Sequence, residues 1–294
     1  MRKINCRNLQ MKNSLLNPSR VKLISTVSCF ILFLAFITAD CSANGIKNNI
    51  KQKGNKIIFH KNTAKIYTKG IVIEMVKIPA GSFVVSGRKG NTAFSYKVTL
   101  TKDYWMGKFE VTQAQYNAVL GIDPSLFKGD NRPVEHVTWK CAKDFCDKLN
   151  EYYSDQLPEG YKFDLPTEAQ WEYAARGAKQ SRNYKYSGSS NIDEVGWHSG
   201  NSGYTTHVVG GKKPNESGLY DMSGNVGEWC RDWYDDYQGD TVDPAGPENG
   251  TYRIARGGGW GDDSNSCIPS CRYINSPDIR FGDIGFRIAI VPKQ

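Results

Sequence analysis

Two stretches, IVIEMVKIPAGSFVV (71–85) and YKVTLTKDYWMGKFEVT (96–112), alternate apolar and polar side chains, the two-residue period of half-buried strands. Gly81 and Gly87 mark turns. Three helices are marked by their starts. Thr112 with Gln115 forms a capping box, and Gly121 closes that helix after Val119 and Leu120. Thr167 with Gln170 opens EAQWEYAAR in the same way, and Gly177 closes it. Thr138 caps WKCAKDFCDKLNEYY, where Trp139, Ala142, Phe145, Cys146, Leu149 and Tyr153 share one face. Cys146 therefore reads as a small core residue or half a disulfide, with Cys141 at the edge of the stripe. Beyond Ser181 periodicity fades into glycine turns and aromatics. Such a stretch needs something other than backbone ladders to fix it. Packing of Trp197, Tyr220, Trp229 and Trp233 is one candidate, and a bound cation is another.

Charge divides the chain. The overall +8 comes from six cations in residues 1–39 and seven lysines in 41–70, segments without an acid on either side of Asp40. From residue 71 onward 25 cations face 29 acids, so no basic groove for nucleic acid is expected. The basic start and the apolar run LISTVSCFILFLAFITA (23–39) read as a signal peptide over 1–40, with Met1 or Met11 as the start. Ile37-Thr38-Ala39-Asp40-Cys41 resembles a lipoprotein cleavage site that would acylate Cys41 and anchor the chain to a membrane, although Asp40 stands where a small residue is usual. Ordinary cleavage after Ala39 or Ala43 is the alternative. Either way the chain is expected outside the cytoplasm, in a bacterial envelope or at the cell surface. Residues 41–70 read as a flexible lysine-rich tether, and 71–294 as one domain.

Two places carry candidate chemistry. The first is RGGGWGDDSNSCIPSCR (256–272), with Cys267 and Cys271 four apart. It reads as a thiolate site, a disulfide staple or a recognition surface. Outside the leader the cysteines number five, namely Cys141, Cys146, Cys230, Cys267 and Cys271, and an oxidising compartment favours pairing them. The second is Asp221 and Glu228, which flank a turn containing Gly224 and Gly227. Carboxylates and inward carbonyls suit calcium, a hard ion taking six to eight oxygens. The plainer reading has Asp221 capping the turn and Glu228 meeting an arginine.

Seven blocks in order, MVKIPAGSF, MGKFEVTQAQYNAVLG, RPVEHVTW, LPTEAQWEYAARGA, GLYDMSGNVGEWCRDWY, RIARGGGW and IGFR, resemble the formylglycine-generating enzyme, or sulfatase-modifying factor, family over about residues 72–292. The resemblance implies an α+β fold related to C-type lectins and rich in irregular structure. It implies calcium held by Asp221 and Glu228 side chains and by the carbonyls of Gly224 and Val226, although Gly227 replaces a usual tryptophan. A second family calcium site would fall near Asp193 and Ser202.

The family's enzymes oxidise a substrate cysteine to formylglycine with copper(I) held between two thiolates, two and seven residues after the block's tryptophan. Counted from Trp260, those positions are Asp262 and Cys267. A carboxylate is a hard donor and a poor substitute for a thiolate on copper(I). Gly259 also stands where the enzymes carry a serine. Cys267 and Cys271 are thus remnants of a copper site, or members of a shifted one. The expected function is ligand or protein binding without catalysis. Asp262, Asp263, Asn265, Ser266, Pro269, Ser270 and Tyr273 would form the contact surface for a protein or glycan. A sharper version is the variable protein of a diversity-generating retroelement, and the alternative is a copper-dependent formylglycine-generating oxidase.

Overall fold

The computed structural model describes residues 3–6, 55–89 and 92–293. The apolar run 23–39, Cys41 and the start of the tether lie outside the described residues, and of the expected leader only a backbone strand, β1 (Lys3–Cys6), is described. The strands that follow are β2 (Lys56–Phe59), β3 (Thr63–Thr68), β4 (Ile71–Ile78), β5 (Gly81–Lys89), β6 (Thr92–Leu100) and β7 (Tyr104–Gly107). After α1 (Gln113–Leu120) and α2 (Trp139–Tyr153) come β8 (Tyr161–Asp164), α3 (Glu168–Ala175) and the short α4 (Ile192–Val195). The chain ends with β9 (Gly227–Trp233), β10 (Thr241–Val242), β11 (Arg253–Arg256), β12 (Cys271–Asn275), β13 (Ile284–Gly285) and β14 (Ala289–Pro292). No helix among the described residues is long and apolar enough to cross a membrane.

Three sheets form. The largest runs β2-β3-β4-β7-β14-β8 and is antiparallel throughout. A second runs β1-β12-β11-β9-β13, its last pair parallel. A third, β10-β6-β5, is the long hairpin of β5 and β6 with one parallel addition. Between the first two sheets and α1 and α2 lies an apolar core that includes Ile66, Ile73, Met75, Phe145, Phe163, Trp229 and Phe286. A smaller core gathers Tyr104, Trp171, Met222 and Ile254 under α3.

The capping boxes stand as read. Thr112 accepts from Gln115 N and the Gln115 side chain reaches back, while Gly121 ends α1 at φ 79°. Thr167 and Gln170 do the same for α3, and Gly177 follows at φ 87°. In α2 the expected face is buried except for half-buried Trp139, and Cys141 joins the buried set. The amide donors freed at each helix start are thereby satisfied locally.

The tether needs correction. Residues 56–68 form β2 and β3, which pair through β4 into the first sheet, with Ala64 opposite Met75 and Ile66 opposite Ile73. Ala64 and Ile66 are fully buried, whereas the alternate Lys65 and Tyr67 are half-buried. Lysine content suggested a solvated linker, but period-two alternation places those lysines on the outer face of a strand. Apart from β1, the described fold begins at residue 55, not 71.

Ile66→Ala is expected to cost about 2–5 kcal/mol, the range for truncating a fully buried aliphatic side chain. Urea unfolding of the two proteins measures it. A chain starting at 71 is expected to lose cooperative unfolding, whereas one starting at 55 keeps it. Equal stability of the two truncations would contradict the assignment of β2 and β3.

Candidate binding face and a replaced thiolate site

The irregular region 187–226 is fixed largely by polar and backbone contacts. Asn225 N–H donates to Trp197 O (2.8 Å) and Gly224 N–H to Gly257 O (2.9 Å). A Cβ on Gly224 would lie 2.1 Å from Trp197 O, and one on Gly196 would lie 1.9 Å from Ser223 O. Backbone meets backbone at both positions, so only glycine fits. Asp221 and Asn225 adopt φ of 57° and 64°, which short polar side chains tolerate best. Of the expected aromatic packing, the Trp197 ring stacks on His207 with centroids 3.7 Å apart, and the Lys212 ammonium sits 4.0 Å from the Trp197 centroid.

At the centre of this region the plainer reading of Glu228 holds. Its carboxylate takes both Arg287 Nε and Nη2 at 2.6 Å, and Trp171 Nε1 donates to Oε2 at 2.6 Å. Arg287 also donates to Gly107 O (2.9 Å) and Tyr220 O (2.8 Å). Glu228, Arg287 and Trp171 are fully buried. Glu110 completes the cluster: Asn225 Nδ2 and Val226 N–H donate to its two oxygens at 2.6 and 3.1 Å. Burial, reinforced by the charges of Asp221 and Glu228, raises its pKa well above the carboxylate range.

These contacts test the implied calcium site. Asp221 offers a buried Oδ1 without a partner, while its Oδ2 accepts from Gly210 N–H at 2.7 Å. That oxygen suits a cation. Glu228 does not, because Arg287 already cancels its charge and both its oxygens are engaged. Among the described residues no three acidic, histidine or cysteine groups converge as metal ligands. Of the two carboxylates, Asp221 alone thus keeps an open oxygen, Oδ1, for a hard ion. At the second implied site Asp193 is exposed and meets His198 Nε2 at 3.0 Å, while buried Ser202 donates to Trp260 O at 2.8 Å. The two are not brought together as ligands.

A second buried ionic network holds the loop after β11. Arg256 bonds Glu172 and Glu168 at 2.7 Å, and Arg272 clamps Glu168 with two bonds of 2.6 and 2.7 Å. Glu168 and Glu172 stand four apart on one face of α3, so one short helix anchors both β11 and β12. Asp232 Oδ2 accepts from Glu168 N–H at 2.8 Å, and burial pushes its pKa up to about 7, with the Glu168 charge adding to the rise.

The loop itself opens with Gly257 and Gly258 at φ 91° and 72°. Asp262 Oδ2 accepts from Gly259 N–H at 2.8 Å, folding the carboxylate back onto the turn. A Cβ on Gly259 would lie 2.8 Å from Asp283 O, so a serine there would collide with backbone. Cys267 is fully buried, its Sγ 2.8 Å from where a Cβ on Gly258 would sit. The residues do not fit a copper(I) thiolate pair: the position of the second sulfur is a hard, hydrogen-bonded carboxylate. Of the expected disulfide cysteines, Cys141 and Cys271 are disulfide-bonded. Cys267 is not bridged to Cys271, and Cys230 and Cys146 are buried free thiols whose pKa burial drives far up, which leaves them inert.

The proposed contact surface divides. Asp263 and Asn265 are exposed and Asp262 is half-buried. Ser266, Pro269, Ser270 and Tyr273 are buried, a correction to the sequence reading. Tyr273 O–H donates to Ser266 O at 2.8 Å, and the pair props the loop from beneath. Asp263 caps the following turn, accepting from Asn265 N–H and Ser266 O–H at 2.9 Å each. Lys185 Nζ reaches Asn265 Oδ1 at 3.1 Å. Polar side chains looked like surface because loops usually are, but here they satisfy the loop's own backbone. Sequence reasoning missed Glu110, Glu168 and Glu172. The four-residue spacing of the last two was the available signal, while Glu110 had none.

The α+β architecture, with curled sheets carrying long irregular loops, is the fold of the formylglycine-generating enzymes. The chain belongs to the sulfatase-modifying factor enzyme 1-like domain family, whose model matches residues 62–291. It is 37% identical over 233 residues to the chaperone protein LppX of Paenibacillus barcinonensis, covering 64% of this chain and 78% of that one. With the formylglycine-generating enzyme of Thermomonospora curvata it shares 32% identity, across 62% of this chain and 63% of the enzyme. Treponema denticola variable protein 1 superposes with a TM-score of 0.70 at 32% identity, covering 78% of this chain and 98% of that one.

Glu228→Gln is expected to destabilise by about 3–5 kcal/mol, since it strands a buried guanidinium. Urea unfolding reads this directly, and a cost below about 1 kcal/mol would contradict the central role of the pair. Asp232 stays protonated in the folded chain up to about pH 7 but ionises near 3.8 when unfolded, so it takes stability away as pH rises through that window. Asp232→Asn is expected to flatten the fall between pH 4 and 7 by about 4 kcal/mol. Melting temperatures of both proteins across that range measure it.

Proposed function

We propose that this chain is a non-catalytic member of its family that binds a protein or glycan ligand through the face built on residues 261–265. The observation that carries the reading is Asp262: a carboxylate bonded to Gly259 N–H occupies the place where the enzymes need a second thiolate. The collision that any side chain at Gly259 would meet supports it further. Binding without redox chemistry then rests on exposed Asp263 and Asn265, held by an underlayer of Ser266 and Tyr273. The likeness to a Treponema variable protein supports a retroelement-diversified binder, and the likeness to a protein named as a chaperone supports a protein ligand. Export through the leader over 1–40, with acylation of Cys41, would place the domain at an envelope surface. Its alternative, a copper-dependent formylglycine-generating oxidase, has the family identity in its favour.

Copper(I) titration of the reduced chain, beside Cys267→Ala and Cys271→Ala, tests the reading together with oxidation of a peptide carrying the sulfatase cysteine motif. The expected result is no one-to-one copper binding that both variants abolish, and no formylglycine by mass spectrometry. Tight binding lost in both variants, with peptide oxidation, would establish the enzyme instead.

A further inference from the structure

Next to the loop 261–265 lies a cavity of about 230 Å³ that has no part in the thiolate chemistry. Gln180, Arg182, Tyr184, Gly188, Pro214 and Glu216 line it. Its place beside the binding face is fixed by Lys185, which follows Tyr184 in the chain and bonds Asn265 Oδ1 at 3.1 Å.

The walls are held rigidly. Asn215 donates to Ala174 O, Ala175 O and Ser187 Oγ, and accepts from Ser217 N–H and Leu219 N–H, all within 3.3 Å. That network anchors the wall formed by Pro214 and Glu216. Gly188, at φ 97°, lies so close that a Cβ would come within 2.8 Å of Asn215 Cα, so the two chain segments touch backbone to backbone. Glu216 Oε1 accepts from Arg182 N–H at 2.9 Å, while its carboxyl packs on Gly177, where a Cβ would sit 2.9 Å away. A cleft held in this way needs little ordering when a ligand enters, and pre-organisation of that kind favours affinity.

Its chemistry narrows the ligand. The lining is mainly polar, which disfavours an apolar guest. Arg182 and Glu216 lie near enough to interact, so the cavity has no net charge to attract an anion or a metal ion. What remains are planar hydrogen-bonding groups, the Gln180 amide and the Arg182 guanidinium, beside the Tyr184 ring, which is 36% exposed. Arg182 and Tyr184 are themselves hydrogen-bonded, so ring and guanidinium form one surface. A cavity of this size falls below the roughly 300–1,000 Å³ that holds drug-sized molecules. It suits one small ring that presents hydroxyls at its edge and C–H groups on its face.

We infer that this cavity binds a neutral monosaccharide unit, the ring of Tyr184 taking the apolar face of the sugar while Gln180 and Arg182 bond its hydroxyls. The inference rests on the binding reading above and specifies a glycan class for it. Residues 180–188 form one wall, so sugar specificity is set by a segment separate from the loop 261–265.

Methyl α- and β-glycosides of glucose, galactose, mannose and N-acetylglucosamine, titrated into the full chain and followed by saturation-transfer NMR, supply the test. At least one is expected to bind with a Kd of roughly 1 mM or tighter, a modest free energy of about −4 kcal/mol. Tyr184→Ala and Arg182→Ala, both at exposed positions, are expected to weaken that binding at least about tenfold. Tyr204→Ala, on an exposed loop elsewhere, is expected to leave it unchanged, and unaltered thermal melts show that the variants are folded. Absence of saturation transfer from every glycoside would overturn the inference, as would binding that survives both cavity variants. Either result leaves the non-catalytic reading standing, because that reading fails only if copper binds and the peptide is oxidised.

Discussion

The bond between Arg287 and Glu228 is the constraint on which the irregular half of the molecule depends. It joins the segment before β14 to the start of β9, and through the carbonyls of Gly107 and Tyr220 it also holds the end of β7 and the loop before Asp221. Trp171 donates to the same carboxylate from α3, so five separate parts of the chain meet at one buried charge pair. A buried ion pair is not efficient as a source of stability, since desolvating both charges offsets most of their attraction, and an apolar pair of equal volume would often do as well. Its strength here is geometric. The bidentate fork admits one relative orientation of its partners, and carbonyls with no ladder to join are satisfied by the remaining guanidinium hydrogens.

The second network extends the same logic to the loop after β11. Glu168 and Glu172 leave one face of α3 and receive Arg256 and Arg272 from two adjacent strands, so the loop between those strands departs from a fixed base. Tyr273 and Ser266 then support the turn from below. The loop's exposed tip therefore stands on buried supports. A surface of this kind can change at exposed Asn265 without disturbing the fold, whereas Asp263 also caps the turn that follows it.

Much of this was legible in the sequence where local chemistry acts alone. The capping boxes of α1 and α3 and the apolar face of α2 need only contacts three or four residues apart, and they appear as read. The errors arose where a residue's role depends on something distant. Lysines between 56 and 69 looked like a linker until β4 supplied a partner that turned Ala64 and Ile66 inward. Ser270 and Tyr273 looked exposed until the sheet covered them. Glu110 gave no signal, for its partners Asn225 and Val226 lie 115 and 116 residues away. Glu228 was readable only as a pair of alternatives, and which one held depended on the distant Arg287.

The replaced thiolate site follows from the same separation of scaffold and tip. Copper(I) chemistry would demand two sulfurs at fixed separation on this loop, and a soft ion tolerates few substitutes. Once the residue at 262 is an aspartate, that demand disappears, but the turn still needs an acceptor for Gly259 N–H. Asp262 provides it, as a short polar side chain does in many turns. At this position the chain therefore carries a carboxylate that caps the turn's backbone. A loop anchored by buried ion pairs beneath it keeps its shape through the backbone-capping carboxylate rather than through a metal.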